Sequence, residues 1–268
     1  MERGRLIERL SEFQRRIADE LLQATATQEA LLPSRAVLDS LKAACPIEVA
    51  GHYEASDELG GDIWGIELVG DQRVLIFNTD FAGHGLGAAL NTIRLHSFIN
   101  GGPAKSRSPA TLLTQLNQFL CDVLPPGQYA TMFCSVMDFR ACSLEYATAA
   151  APPQLLRSGA NRPFEILQQP GFPLGVTRDA AYENFTAPFE PGAQLLLFSD
   201  ALIETLPHPH EAFTENSLRD YVETLSPESG PHELRDSVLR EFYSRISAKP
   251  TDDLTIVAAH HLIAGVPQ

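Results

Sequence analysis

The amino-acid sequence predicts an α+β fold on three observations. Short apolar runs of strand length recur along the chain, amphipathic stretches of helical length lie between them, and neighbouring runs are joined by hairpin-like links. Val74-Leu75-Ile76-Phe77, Leu195-Leu196-Leu197-Phe198 and Leu254-Thr255-Ile256-Val257 read as buried strands. Met132 to Val136 and Leu144 to Ala147 read as a further pair, joined around Asp138-Phe139-Arg140. Hairpin joins favour antiparallel sheet, whereas a doubly wound fold needs long crossovers between parallel strands.

The remaining elements follow in chain order. Leu6, Leu10, Phe13, Ile17, Leu21 and Ala24 recur at steps of three or four with charges between them, which predicts one helix. The same stripe suits a short coiled-coil seam or a helix packed on its own domain, and the pattern does not choose between them. Glu20 stands where an apolar residue would continue the heptad, so a seam here would be weak. Pro33 stops the pattern at Leu31-Leu32-Pro33-Ser34, and a second short helix is expected from Val37 to Ala44. Ser108 is a good N-cap with Pro109 at the first helical position, followed by the apolar stripe Leu112, Leu116, Phe119 and Val123. Leu234, Val238, Phe242 and Ile246 make another such stripe near the end.

Composition narrows the function. The chain has 268 residues, 44% of them hydrophobic, enough for one sizeable core, and a formal net charge of -14. That acidic balance argues against a nucleic-acid partner. The cysteines Cys45, Cys121, Cys134 and Cys142 form no CxxC pair and no Cys/His cluster with zinc spacing. Free thiols among apolar neighbours, a charged N-terminus and no apolar run of spanning length point to a soluble cytoplasmic protein without a membrane partner.

Four aspartates share one placement at strand edges. Gly60-Gly61-Asp62 precedes the strand-like Ile63 to Leu68, Asp80 ends Val74 to Thr79, Asp200 ends Leu195 to Ser199, and Asp252-Asp253 precedes Leu254 to Ala259. Aspartates at strand ends are commonly turn residues. As a set, carboxylates brought to one spot repel each other unless a cation joins them, and oxygen-only donors select Mg²⁺ or Mn²⁺ over zinc. His84, in a glycine-flanked turn near Asp80, is a candidate general acid or an orienting residue. Asn91 and Arg94 lie on the helix that follows and face either the site or solvent. His208 and His210 read as an exposed loop, and His260-His261 alternate faces, so they do not share a ligand. No G-x-S-x-G elbow and no Cys-x5-Arg phosphate cradle is present.

These stretches resemble the SpoIIE/RsbU-type serine phosphatases, the bacterial branch of the PPM (type 2C) family. Glu58-Leu59-Gly60-Gly61-Asp62 is similar to its xxGGD opening, and Asp80-Phe81-Ala82-Gly83-His84-Gly85-Leu86-Gly87-Ala88-Ala89-Leu90 to DVSGHGxxAAL. Phe172-Pro173-Leu174-Gly175-Val176 is similar to xPLGV, Phe198-Ser199-Asp200-Ala201-Leu202-Ile203-Glu204 to YTDGVxE, and Asp252-Asp253-Leu254-Thr255 to DDxT. The resemblance covers about Leu31 to Leu262 and rests on five motifs in order, each weak alone. It implies a four-layer α-β-β-α sandwich of two antiparallel sheets flanked by helices. An N-terminal helix at 1–33, a possible coiled-coil or dimerisation linker, would precede it. A phosphatase domain over 34–264 and a tail at 265–268 would follow. It further implies a catalytic site with two ions, Mn²⁺ or Mg²⁺. Asp80 would bridge them, Asp200 and Asp252 would complete one, and Asp62 with the backbone carbonyl of Phe81 would serve the other. Asp253 would stand behind these ligands. The implied substrate is a phosphorylated STAS-domain antagonist of an anti-sigma factor. The implied partners are an upstream sensor or response-regulator domain and a second copy through the N-terminal helix.

The chain departs from the family pattern at three places. Ala201 replaces the glycine after the third aspartate, where a methyl would crowd the backbone or oppose a positive φ. Thr148-Ala149-Ala150-Ala151-Pro152-Pro153 replaces NAGHxP, which predicts altered shape at a strand-to-strand join. Bulky Phe81 follows Asp80. These departures leave open a catalytically impaired binding or regulatory module on the same fold, and a third reading is a hydrolase of small phosphoesters or nucleic acid with similar metals, its nucleic-acid branch disfavoured by the acidic balance.

Overall fold

The computed structural model describes residues 2–83, 85–101, 108–204, 213–246 and 249–263, with side chains from Glu8 onward. His84, His208 and His210 lie outside the described residues, as does the tail at 265–268. The chain opens on α1 (Glu2–Glu29) and α2 (Arg35–Ala44). Ser34 caps α2, its hydroxyl accepting from the Val37 N–H. Strands β1 (Ile47–Glu54), β2 (Asp62–Gly70) and β3 (Arg73–Phe81) follow, then α3 (Leu86–Gly101) and α4 (Pro109–Val123). Ser108 caps α4 with Pro109 in its first turn, as its sequence predicts. The remaining strands are β4 (Ala130–Asp138), β5 (Ser143–Ala149), β6 (Gln154–Arg157), β7 (Phe164–Leu167), β8 (Phe185–Pro188), β9 (Gln194–Phe198) and β10 (Leu254–His261). Helices α5 (Ala201–Glu204), α6 (Glu215–Glu223) and α7 (Pro231–Arg245) lie between the last two strands.

The strands form two five-stranded antiparallel sheets, ordered β1-β10-β9-β6-β7 and β2-β3-β4-β5-β8. Burial sorts into three layers of apolar contact. One lies between the sheets and includes Val49, Trp64, Ile76, Phe133 and Val257. A second packs Leu95, Leu112 and Leu116 of α3 and α4 against Phe77, Met132 and Cys134. The third packs Leu218, Leu234, Val238 and Phe242 of α6 and α7 against Leu196, Phe198 and Ile256. This is the α-β-β-α sandwich. Helices cover the outer faces, so the central strands are buried on both sides and read as unbroken apolar runs. All eight residues of β10 are buried, among them His260 and His261 on opposite faces. The thiols of Cys45, Cys121, Cys134 and Cys142 are free. No helix among the described residues is long and apolar enough to cross a membrane.

Two features of this frame bear on the site. The hairpin β2–β3 turns through Asp71 and Gln72, with a register irregularity between Leu68 and Gly70 that absorbs one residue. Gln72 takes a positive φ of 55° there. Helix α1 divides in two. Residues 8–20 are all exposed, including Leu10, Phe13 and Ile17, so this half buries none of its apolar stripe in its own domain. From Leu21 onward the helix docks, and Gln28 is buried.

Candidate active site

The sandwich topology brings the four aspartates to one end. Asp62 opens β2, Asp80 lies one residue from the end of β3, Asp200 follows β9, and Asp252-Asp253 precede β10. Asp80 is therefore inside its strand rather than beyond it, because pairing with β4 continues through Asp80↔Thr131 to Phe81↔Ala130. Asp62 and Asp80 stand directly opposite each other across β2 and β3. Such partners share a face with Cβ atoms about 5 Å apart, and like charges in that position destabilise a sheet.

The electrostatics follow from this crowding. Burial first, then the charge of Asp80, raises the carboxyl of Asp62 well above the ordinary range, while a hydrogen bond from the Thr255 hydroxyl at 2.6 Å works the other way. Burial and the charges of Asp200, Asp252, Asp253 and Glu204 push Asp80 up to about 8. Asp200 rises to about 6 through burial and the charges of Asp252 and Glu204, against backbone N–H donation from Ala201. The result is a hard-oxygen set under strong mutual repulsion, the donor chemistry that a divalent cation relieves. Among the described residues no group of three or more His, Cys, Asp and Glu side chains is closed around one point.

Backbone close approach builds the rest. A Cβ on Gly61 would stand 2.6 Å from the Phe81 carbonyl oxygen, so the missing side chain leaves that carbonyl clear beside Asp62. The Phe81 ring is buried in the layer under α3 and α4, away from the carboxylates, so its bulk does not obstruct them. Gly83 and Gly85 take φ of 95° and 79°, the left-handed conformation that turns the chain into α3.

Asp253 is a tie rather than a free carboxylate. It is buried and accepts from the Ser56 N–H at 2.7 Å, the Ser56 hydroxyl at 3.0 Å and the Gly61 N–H at 2.5 Å. Gln28 of α1 makes a second tie. Its side-chain amide donates to the Gly60 carbonyl at 2.6 Å and accepts from the Gly60 N–H at 3.2 Å. The Thr25 hydroxyl donates to the Glu58 carbonyl at 2.7 Å. Sequence reasoning missed Gln28 and Ser56, and quoted Glu204 only as the end of the YTDGVxE-like stretch without giving it a role. Of the two missed, a signal exists for Gln28 alone, a polar residue continuing the inward stripe of Leu21 and Ala24. Asn91 is buried and donates to Gln128 at 2.9 Å, whereas Arg94 is exposed and donates to Asn91 and the Val123 carbonyl.

The departures from the family pattern resolve differently. Ala201 is the first residue of α5 and is not among the residues of positive φ, so its methyl opposes nothing. Ala150, at the place of the glycine in NAGHxP, holds a φ of 52°. The join thus keeps a glycine-like backbone and strains the alanine in it. The same substitution should act with opposite sign at the two sites. Ala150→Gly is expected to stabilise by about 1 kcal/mol, and Ala201→Gly to destabilise by roughly 0.5 kcal/mol. Urea midpoints at matched m-values would read both, and equal signs would refute the contrast.

The sandwich of two antiparallel sheets is the fold of solved PP2C domains. The SiaA-PP2C domain of Pseudomonas aeruginosa superposes with a TM-score of 0.80 over 93% of this chain and 98% of that one, at 22% sequence identity. The chain belongs to the SpoIIE family: the model of Stage II sporulation protein E matches residues 70–262, a span that includes Asp80, Asp200 and Asp252 and leaves Asp62 outside. Among curated relatives it is 24% identical to the phosphoserine phosphatase RsbP of Bacillus subtilis over 59% of this chain. It is likewise 24% identical to the phosphoserine phosphatase RsbU of the same organism over 72% of this chain. The matches span 40% of RsbP and 56% of RsbU, about half the length of these relatives.

Proposed function

We propose that the chain is a divalent-cation-dependent phosphatase acting on phosphoserine or phosphothreonine in proteins. The observation that carries this reading is the in-register pair Asp62 and Asp80, with Asp200 raised beside them at the same sandwich end. In this reading Asp80, Asp200, Asp252, Asp62 and the Phe81 carbonyl would hold two Mn²⁺ or Mg²⁺ ions, with Asp80 shared between them. Such ions supply positive charge against phosphoryl oxygens and acidify water. The protein's own part is placement. Thr255 orients the Asp62 carboxylate, while Asp253 and Gln28 hold the Gly60-Gly61 backbone that carries it. The test is phosphate release from a phosphoserine peptide. Release is expected with Mn²⁺ and none in excess EDTA, and undiminished release in EDTA would refute the reading.

The family resemblance supports a phosphorylated STAS-domain protein as substrate, in bacterial signalling in the cytoplasm. The exposed half of α1, with Leu10, Phe13 and Ile17 at 55%, 61% and 41% exposure, supports a homodimer through that helix. Its docked half leads through Gln28 to Gly60, a path by which an upstream sensor or response-regulator domain would bias the site. Light scattering should give a dimer for the full chain and a monomer for Leu10→Asp/Ile17→Asp. A monomeric parent at about the tens-of-micromolar concentrations where weak seams associate would refute the dimer.

A further inference from the structure

We infer that an uncharged apolar platform beside the carboxylates docks the substrate polypeptide, and selects apolar residues next to its phosphoserine. The inference rests on the phosphatase reading and names the substrate class it leaves open. Charged residues make up 20% of the chain, yet residues 85–93, 123–137 and 167–177 contain none. The fold brings these three stretches together at the end that carries Asp80. Asp80 and Phe81 pair with Thr131 and Ala130, and the Ala82 N–H donates to the Tyr129 carbonyl at 2.9 Å. Ala130 in turn exchanges backbone hydrogen bonds with Leu174 at 3.0 and 2.8 Å. The first turns of α3 close the other side. Ala88 packs by Gly61, and Asn91 is hydrogen-bonded to Gln128.

Large apolar side chains stand exposed on each of these segments. Leu86 and Leu90, one turn apart on α3, are 56% and 48% exposed. Tyr129 is 39% exposed, and Phe172 and Val176, flanking the paired Leu174, are 60% and 57% exposed. Apolar exposure with charge depleted around it is the composition of an interface core. Charge identifies the occupant. A protein of net charge -14 repels a phosphorylated partner at long range, so beyond the phosphoryl group that the proposed ions would meet, the polypeptide around it is best held by uncharged burial close to the site. The only ligand this surface must meet in every turnover is the chain around the phosphoserine itself.

The test compares two phosphoserine peptides of equal length, one with Leu and Phe flanking the phosphoserine and one with Ser and Gly there. The parent is expected to favour the apolar peptide in kcat/KM by at least about tenfold. In Leu90→Ser/Phe172→Ser the ratio should fall to near one. Each variant is normalised to itself, and a melting curve confirms folding. Leu68→Ser, an exposed leucine near the opposite end of β2, should keep the parental ratio. A parental ratio near one, or a ratio unmoved by the double substitution, overturns the inference. Loss of a dimer in the double variant by light scattering would assign the platform to self-association and overturn it too. If the parent releases phosphate from neither peptide nor from para-nitrophenyl phosphate with Mn²⁺, the phosphatase reading itself fails. Turnover of all three without discrimination sinks the docking surface alone.

Discussion

Asp80→Asn is expected to lower Mn²⁺-dependent turnover by at least about a thousandfold, because in the function proposed above it removes the one carboxylate that would serve both ions. Asp80 faces Asp62 across the strand pair and lies within the field of Asp200, Asp252, Asp253 and Glu204. Asparagine keeps the shape and opens no cavity, so the fold should survive. It should even gain: in the absence of cations the variant is expected to melt above the parent near pH 8, since one of the repelling charges is gone. In excess Mn²⁺ the order should reverse, because on the proposed reading the parent would bind the ion and the variant would not. Retention of turnover within about tenfold of the parent, less than one bridging ligand is worth, would sink the bridging role.

The second large effect is on stability against pH. The carboxyls of Asp80 and Asp200 are raised to about 8 and about 6 in the fold, against an ordinary 3.8. Between the ordinary and raised values the folded protein keeps protons that the unfolded chain has released. Their contribution is therefore full below the ordinary value and is lost as pH rises through the raised ones. The cation-free protein should lose on the order of 2 kcal/mol between about pH 5 and about pH 8, a fall of roughly 5 °C in melting temperature. His52, His96, His260 and His261, each lowered chiefly by burial, act in the opposite sense below their ordinary 6.5. The decisive measurement is thus the difference between EDTA and excess Mn²⁺ at each pH. That difference should widen toward pH 8 in the parent and stay small in Asp80→Asn. A gap independent of pH in the parent would refute the account.

Much of this was legible in the sequence, for identifiable reasons. The central strands are covered on both faces, so they appear as bare apolar runs, and the aspartates at their ends stand out by contrast. Strands β6, β7 and β8 have four residues each, and Phe164–Leu167 exposes Glu165 in its middle, too little pattern to read. The ties around the site were hidden for another reason. Gln28 reaches Gly60 across 32 residues and Ser56 reaches Asp253 across 197, separations that no local pattern reports. The strained φ of Ala150 was invisible as well, since the sequence showed the lost glycine but not the kept backbone.

The irregularity between Leu68 and Gly70 gives the β2–β3 turn a reach beyond its surroundings. Side chains alternate faces along a strand, so one residue gained or lost at Asp71-Gln72 would rotate Asp62 away from Asp80. The turn lies about 25 Å from those carboxylates, at about 3.3 Å per residue. Surface turns ordinarily absorb insertions and deletions freely. This one behaves like the vernier of an instrument: its length calibrates the opposing jaw. Length changes among descendants of this chain should therefore be tolerated in pairs of residues, or accompanied by loss of the bulge, while single-residue changes here should be purged as strictly as changes to the aspartates themselves.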